Sequence, residues 1–159
     1  MGFVQAGLSP KSWPITVSAI VHVDCTCDKR PDERESALFK IFHLDECPTS
    51  PMEPGRGEQI KLINPALGTE KVDVHLNRLI PGGPRGKHHH HSNADNVYIV
   101  KRGEGTLTVE DKSYVVREND VVFIPAGTTH SLSNLGKDVF EIFEIYAPSG
   151  RHMDFVLDE

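Results

Sequence analysis

Four consecutive histidines, His88-His89-His90-His91, stand between a glycine-rich turn and a run of β-branched and aromatic residues. On an extended strand, residues i and i+2 point to the same face. Two imidazoles from one strand can therefore approach a single metal ion, and imidazole suits zinc, iron, copper and nickel. A third ligand has to come from elsewhere in the chain. Residues 119–134 offer one, with a strand running into Pro125, a turn through Gly127 and a restart at His130. Four histidines followed by Ser92-Asn93-Ala94 also look like a purification tag, but an internal run with a turn before it and a strand after it sets that reading aside.

The elements that must position these groups are short strands. From Leu38 onward the sequence predicts strands over Phe39–Leu44, Gln59–Ile63, Lys71–Ile80, Val97–Val100, Gly105–Val109, Lys112–Val116, Asp120–Ile124 and Val139–Tyr146, with a Pro/Gly-dense loop over Pro48–Gly57. In Lys71–Ile80, Val72, Val74, Leu76 and Ile80 share one face while Asp73, His75 and Asn77 share the other. Parity does not say which face is inward. Many short strands joined by tight turns predict an all-β sandwich or barrel over residues 38–159. Residues 1–37 form an N-terminal extension with one β-like stretch, Ile15–Val23, followed by the charged run Asp28–Glu35.

At 159 residues the chain is sized for one domain with a full core. Its balance of 17 basic and 23 acidic side chains, a net charge of −6, argues against nucleic acid or an anionic membrane as partner. No apolar run is long enough to span a bilayer. Three cysteines, Cys25, Cys27 and Cys47, make no redox or zinc spacing and read as reduced thiols, which places the protein in the cytoplasm.

Both histidine segments resemble the two motifs of the cupin superfamily. The first cupin motif runs Gly, five residues, His-x-His, three or four residues, Glu, six residues, Gly. The second runs Gly, five residues, Pro-x-Gly, two residues, His, three residues, Asn. Pro125, Gly127, His130 and Asn134 match the second, with Asn119 in the first glycine position, where its tolerance of positive φ preserves the turn. For the first motif two registers compete, His88 with His90 counted from Gly82, or His89 with His91 counted from Gly83. Counting back from Gly103 selects the second register and puts Asn96 where the family has its carboxylate. The resemblance covers residues 38–150 and implies a double-stranded β-helix, the jelly-roll cupin barrel. It also implies that His89, His91 and His130 hold one divalent transition metal ion (Fe, Mn, Zn, Ni or Cu). Asn96 then offers a weak amide oxygen or a hydrogen bond to bound water, and Asp95 is the rival carboxylate, pointing to the other strand face.

A three-His set leaves the ion its full charge and several open positions. Such sets occur in cupins that use dioxygen, so the resemblance implies an enzyme oxidising a small polar organic molecule. A redox-neutral lyase or isomerase and a non-catalytic ligand-binding module remain open. Arg78, His75, Asn77, Tyr98 and Phe123 flank the motifs as pocket candidates. Among them Arg78 could clamp a carboxylate and Tyr98 could act as general acid or base. His22, His43, His75 and His152 also carry the ordinary reading of surface or packed histidines. Edge strands need cover, so a homodimer is the expected assembly.

Overall fold

The computed structural model describes residues 40–41, 43–149 and 155–157. A 3-10 turn at Leu44–Glu46 precedes β1 (Thr49–Pro51) and β2 (Gly57–Ile63), and a second at Pro65–Leu67 leads into β3 (Asp73–Leu79). After the glycine-rich turn come β4 (His89–His91) and β5 (Asp95–Arg102), the hairpin of β6 (Glu104–Val109) and β7 (Lys112–Arg117), and then β8 (Val121–Ile124), β9 (His130–Ser133), β10 (Phe140–Ala147) and β11 (Phe155–Leu157). The strands form two antiparallel sheets, one in the order β1-β2-β3-β10-β5-β8 and the other β11-β4-β9-β6-β7. This is the expected all-β double-stranded β-helix.

Period-two alternation sorts each strand between two apolar layers. Leu79, Tyr98, Val100, Leu107, Ile124, Leu132, Phe140 and Ile142 fill the space between the sheets. A smaller cluster of Cys47, Ile60 and Leu76 lies on the outer side of the larger sheet, where Leu44 and Phe143 pack against it. In β3 the apolar residues Val74 and Leu76 therefore face outward, and the polar row Asp73, His75 and Asn77 faces the barrel interior. Burying three polar side chains inside a barrel is costly unless they are hydrogen-bonded, so this row already points to a built site.

Two turns between strands depend on left-handed backbone. Asn119 has φ 73°, as its place before β8 predicts. Gly103 has φ 79°, and a Cβ there would stand 2.6 Å from the Val139 carbonyl oxygen.

Three local expectations need correction. The strand expected over Phe39–Leu44 is not found in its described part: Leu44 opens a 3-10 turn, closed by Cys47 N–H donating to the Leu44 carbonyl at 3.3 Å, and its side chain covers the outer cluster. The loop expected over Pro48–Gly57 contains β1, which tolerates Pro51 because it is an edge strand paired only to β2. Strand β11 was not anticipated and pairs with β4. The Ile15–Val23 stretch, the boundary at residue 37, Cys25, Cys27, His22 and His152 lie outside the described residues.

Candidate metal centre and its cavity

β4 presents His89 and His91 on one face, and β9 opens on His130 directly opposite His89 in the antiparallel register. One ring nitrogen from each of the three lies within 4.8 Å of the others. His91 and His130 are buried and His89 is half-buried. Nδ1 of His89 lies 2.9 Å from the Lys87 carbonyl oxygen, and Nδ1 of His130 lies 2.8 Å from that of Thr128. A ring nitrogen facing a carbonyl oxygen must donate. Each Nδ1 therefore carries the proton, and each Nε2 keeps its lone pair for a metal. Burial, with help from His130 and His91, outweighs the Lys87 carbonyl and pushes the His89 pKa down to about 4, so the ring is neutral at physiological pH.

The neighbouring candidates separate cleanly. His88 turns toward the Ser131 hydroxyl at 3.5 Å, and His90 alternates to the opposite side of β4 from His89 and His91. Asn96 is buried beside the trio, with Nδ2 3.3 Å from Nε2 of His130 and an Oδ1 that has no hydrogen-bond partner among the described residues. Asp95 is exposed and accepts the Ala126 N–H at 2.9 Å. Alternation along β5 sends its carboxylate away from the histidines. The donor set thus fits a divalent ion: three imidazoles, two of them oriented by backbone carbonyls, and one orphaned amide oxygen alongside.

Through His89 the trio meets a cavity of about 470 Å³ whose wall also includes Arg56, Lys61, Asn77, Tyr98, Glu144 and Tyr146. Its organising group is Glu144. One carboxylate oxygen accepts the Tyr146 hydroxyl at 2.7 Å. The other accepts the Asn77 amide at 2.5 Å and meets Nε2 of His75 at 3.1 Å. Tyr98 lies between the carboxylate and the histidine cluster: Glu144 and Asn96 both act on its phenol, and its ring centroid is 6.1 Å from that of His130. Burial alone would raise the Glu144 pKa, but the hydrogen bond and charge of His75 and the two tyrosines hold it well below the ordinary carboxylate range. Burial would lower the His75 pKa, but Asp73 and Glu144 overcome this and raise it to about 9. Burial and the Glu144 charge push both phenols well above their ordinary value, so Tyr98 and Tyr146 stay protonated.

Of the sequence candidates, Tyr98, His75 and Asn77 face this interior, whereas Arg78 and Phe123 do not. Arg78 alternates to the outer side of β3, where its guanidinium meets Glu141 at 2.7 Å and Glu58 at 3.0 Å. That correction follows from Asp73, His75 and Asn77 taking the inward positions. Phe123 points out from β8 and is 61% exposed. Glu144, Tyr146 and Arg56 were not foreseen. Glu144 had a legible signal, because it shares strand parity with Phe140, Ile142 and Tyr146, and a carboxylate on an apolar strand face is a buried charge in need of partners. Arg56 sits in a turn, where parity carries no information.

Residues 75–146 match the family model described as a cupin domain. A mannose-1-phosphate guanylyltransferase from Klebsiella pneumoniae is 35% identical over 81 residues, which cover 51% of this chain and 17% of that protein. The chain thus spans less than a fifth of that relative. A protein with a double-stranded β-helix domain from Klebsiella pneumoniae superposes with a TM-score of 0.62 at 22% identity, over 75% of this chain and 96% of its own. A predicted oxalate decarboxylase from Thermotoga maritima gives 0.61 at 24% identity, over 68% and 98%. At these identities the two structures share the fold with this chain.

Proposed function

We propose that the cupin domain carried by residues 75–146 of this chain is a metal-dependent catalytic unit for a small polar organic molecule. The observation that carries this reading is the convergence of His89, His91 and His130 on one point, with His89 on the wall of a cavity that also presents Tyr98 and Glu144. When bound there, a divalent ion of Fe, Mn, Zn, Ni or Cu supplies Lewis acidity toward a substrate oxygen. The chain's own groups do the rest. Tyr98 stays protonated and offers a proton or hydrogen bond beside the three histidines. Glu144 stays ionised, orients Tyr146 and accepts from substrate hydroxyls. His75 holds the carboxylate in place from behind. This polar, proton-bearing wall supports redox-neutral lyase or isomerase chemistry. Dioxygen-dependent oxidation is the second reading, supported by a set of only three histidine ligands, which leaves room for two molecules to bind side by side.

We further propose a homodimer, supported by the apolar residues Ile99, Val121 and Phe123 that β5 and the edge strand β8 expose. Cytoplasmic residence is part of the same proposal, supported by Cys47, a buried thiol that donates to the His43 carbonyl oxygen at 3.3 Å. No helix among the described residues is long and apolar enough to cross a membrane.

Elemental analysis of protein purified without a metal-affinity step tests the metal reading. Stoichiometric metal is expected, and less than about 0.3 ions per chain defeats it. His130→Ala should empty the site and His88→Ala should leave it filled. Turnover that continues without dioxygen supports the redox-neutral chemistry, and strict oxygen consumption supports the second reading.

A further inference from the structure

We infer that Arg56 is the seat of an anionic group on the ligand, so that the cavity takes a small hydroxylated organic oxyanion, its carboxylate or phosphate end on Arg56 and its hydroxyls toward Tyr98 and Glu144. This deepens the reading above and rests on it only for the cavity being the ligand site.

Arg56 reaches the cavity wall from the turn between β1 and β2. Its guanidinium is positioned by backbone: Nη2 donates to the Leu132 carbonyl at 3.2 Å and Nη1 to the Pro84 carbonyl at 3.4 Å. Gly86 completes the seat. A Cβ at Gly86 would stand 2.6 Å from both terminal nitrogens, and no left-handed backbone conformation calls for glycine at that position. A side chain at this position would displace the guanidinium from its present seat.

Glu53 and Glu144 favour the charge in this seat from a distance, but neither meets it in direct contact. Among the described residues Arg56 makes no ion pair, whereas Lys87 on the same wall is paired with Glu53 at 3.3 Å. Arginine carries five N–H donors, and two carbonyls leave several of them free for a ligand. Burial opposes the charge. A half-buried guanidinium held open in this way is what a ligand counter-ion would satisfy. The wall as a whole agrees: Arg56, Lys61 and Lys87 against Glu53 and Glu144 leave 3 − 2 = +1 before any metal binds. The planar fork matches a carboxylate or phosphate through two parallel hydrogen bonds. Glu144 disfavours a second anion near the tyrosines and accepts from hydroxyls instead.

Calorimetric titration of the full chain, metal-free and zinc-loaded, with gluconate, glucose 6-phosphate and sorbitol tests this. At least one of the two anions should bind about 10-fold or more tighter than sorbitol in the metal-free protein. The tighter of the two tells carboxylate from phosphate. Arg56→Gln should remove the preference while metal content stays unchanged, and His130→Ala should remove metal while the preference stays. Gly86→Ala keeps the arginine but fills its seat, and should cut the preference without loss of fold even if Arg56→Gln unfolds. Three results overturn the inference: no anion binding at about 10 mM, a preference seen only with metal bound, or a preference that survives in Arg56→Gln. Absence of metal from the wild type defeats the metal reading alone, because the metal-free titrations still report on Arg56.

Discussion

Nε2 of His75 lies 3.1 Å from a carboxylate oxygen of Glu144, while Nδ1 of the same ring faces Asp73 at 3.7 Å. A buried imidazole between two carboxylates is held as the cation, and its charge in turn keeps Glu144 ionised. The remaining neighbours are the Tyr146 ring, 5.3 Å away between centroids, and Lys61, the register partner of His75 on β2.

This arrangement sets a pH dependence of stability. The His75 pKa rises from 6.5 to about 9 on folding. Its contribution is thus complete below about pH 6.5 and lost as pH climbs through about 9. The Glu144 pKa falls from 4.5, so its contribution is present above that value and lost in acid. Urea unfolding midpoints of wild type and His75→Gln should therefore differ most between about pH 5 and 6.5 and converge toward pH 10. A difference that stays constant across that range would refute the charged assignment.

Asn96 gives the second prediction. Its Oδ1 is buried without a hydrogen-bond partner among the described residues, and its amide faces Nε2 of His130. Asn96→Asp is nearly isosteric and adds a charge. In the metal-free protein it buries an unpaired carboxylate and should lower unfolding stability by about 2–4 kcal/mol. In the metal-loaded protein the same charge faces the ion, so stability should rise and extraction by a chelator should slow about 10-fold or more. Equal effects in the two forms would remove Asn96 from the neighbourhood of the metal.

The legible and illegible parts of this site divide along physical lines. His89, His91 and His130 could be read because strand parity and the spacing to Gly127 constrain them locally. The turn at Asn119 could be read for the same reason, from the tolerance of asparagine for positive φ. The facing of β3 could not. Its alternation is clear, but which side is inward depends on the outer cluster formed by Cys47, Ile60 and Leu76, which brings together segments far apart in sequence. That is why Arg78 looked available for the pocket and Glu144 did not. Arg56 was the least accessible of all, because its role depends on carbonyls of Pro84 and Leu132 that only the folded barrel brings to it.

Two glycines with the same φ of 79° should respond differently to alanine. At Gly127 an added Cβ meets nothing within 4 Å, so Gly127→Ala pays only the left-handed strain, about 1 kcal/mol. At Gly103 the Cβ would stand 2.6 Å from the Val139 carbonyl oxygen, a backbone atom tied into the start of β10. Gly103→Ala should cost roughly 2 kcal/mol or more. Denaturant midpoints that shift equally for both variants would contradict the close approach at Gly103.

The exposed edge supplies the last prediction. Val121 and Phe123 on β8 are 67% and 61% exposed, and Ile99, the register partner of Val121 on β5, is 36% exposed. All three lie on the outer face of the larger sheet, and β8 has no further strand beyond it among the described residues. An apolar edge left open invites pairing with another chain, and a closed two-fold contact satisfies both edges at once. Sedimentation should therefore give about twice the chain mass of 17.7 kDa. Phe123→Asp, or Val121→Lys with Phe123→Asp, should shift the protein to one chain mass with its unfolding midpoint as an isolated barrel intact, because neither side chain enters the core between the sheets. A wild-type protein that sediments at one chain mass, or a variant that stays dimeric, would show that this edge is not the interface.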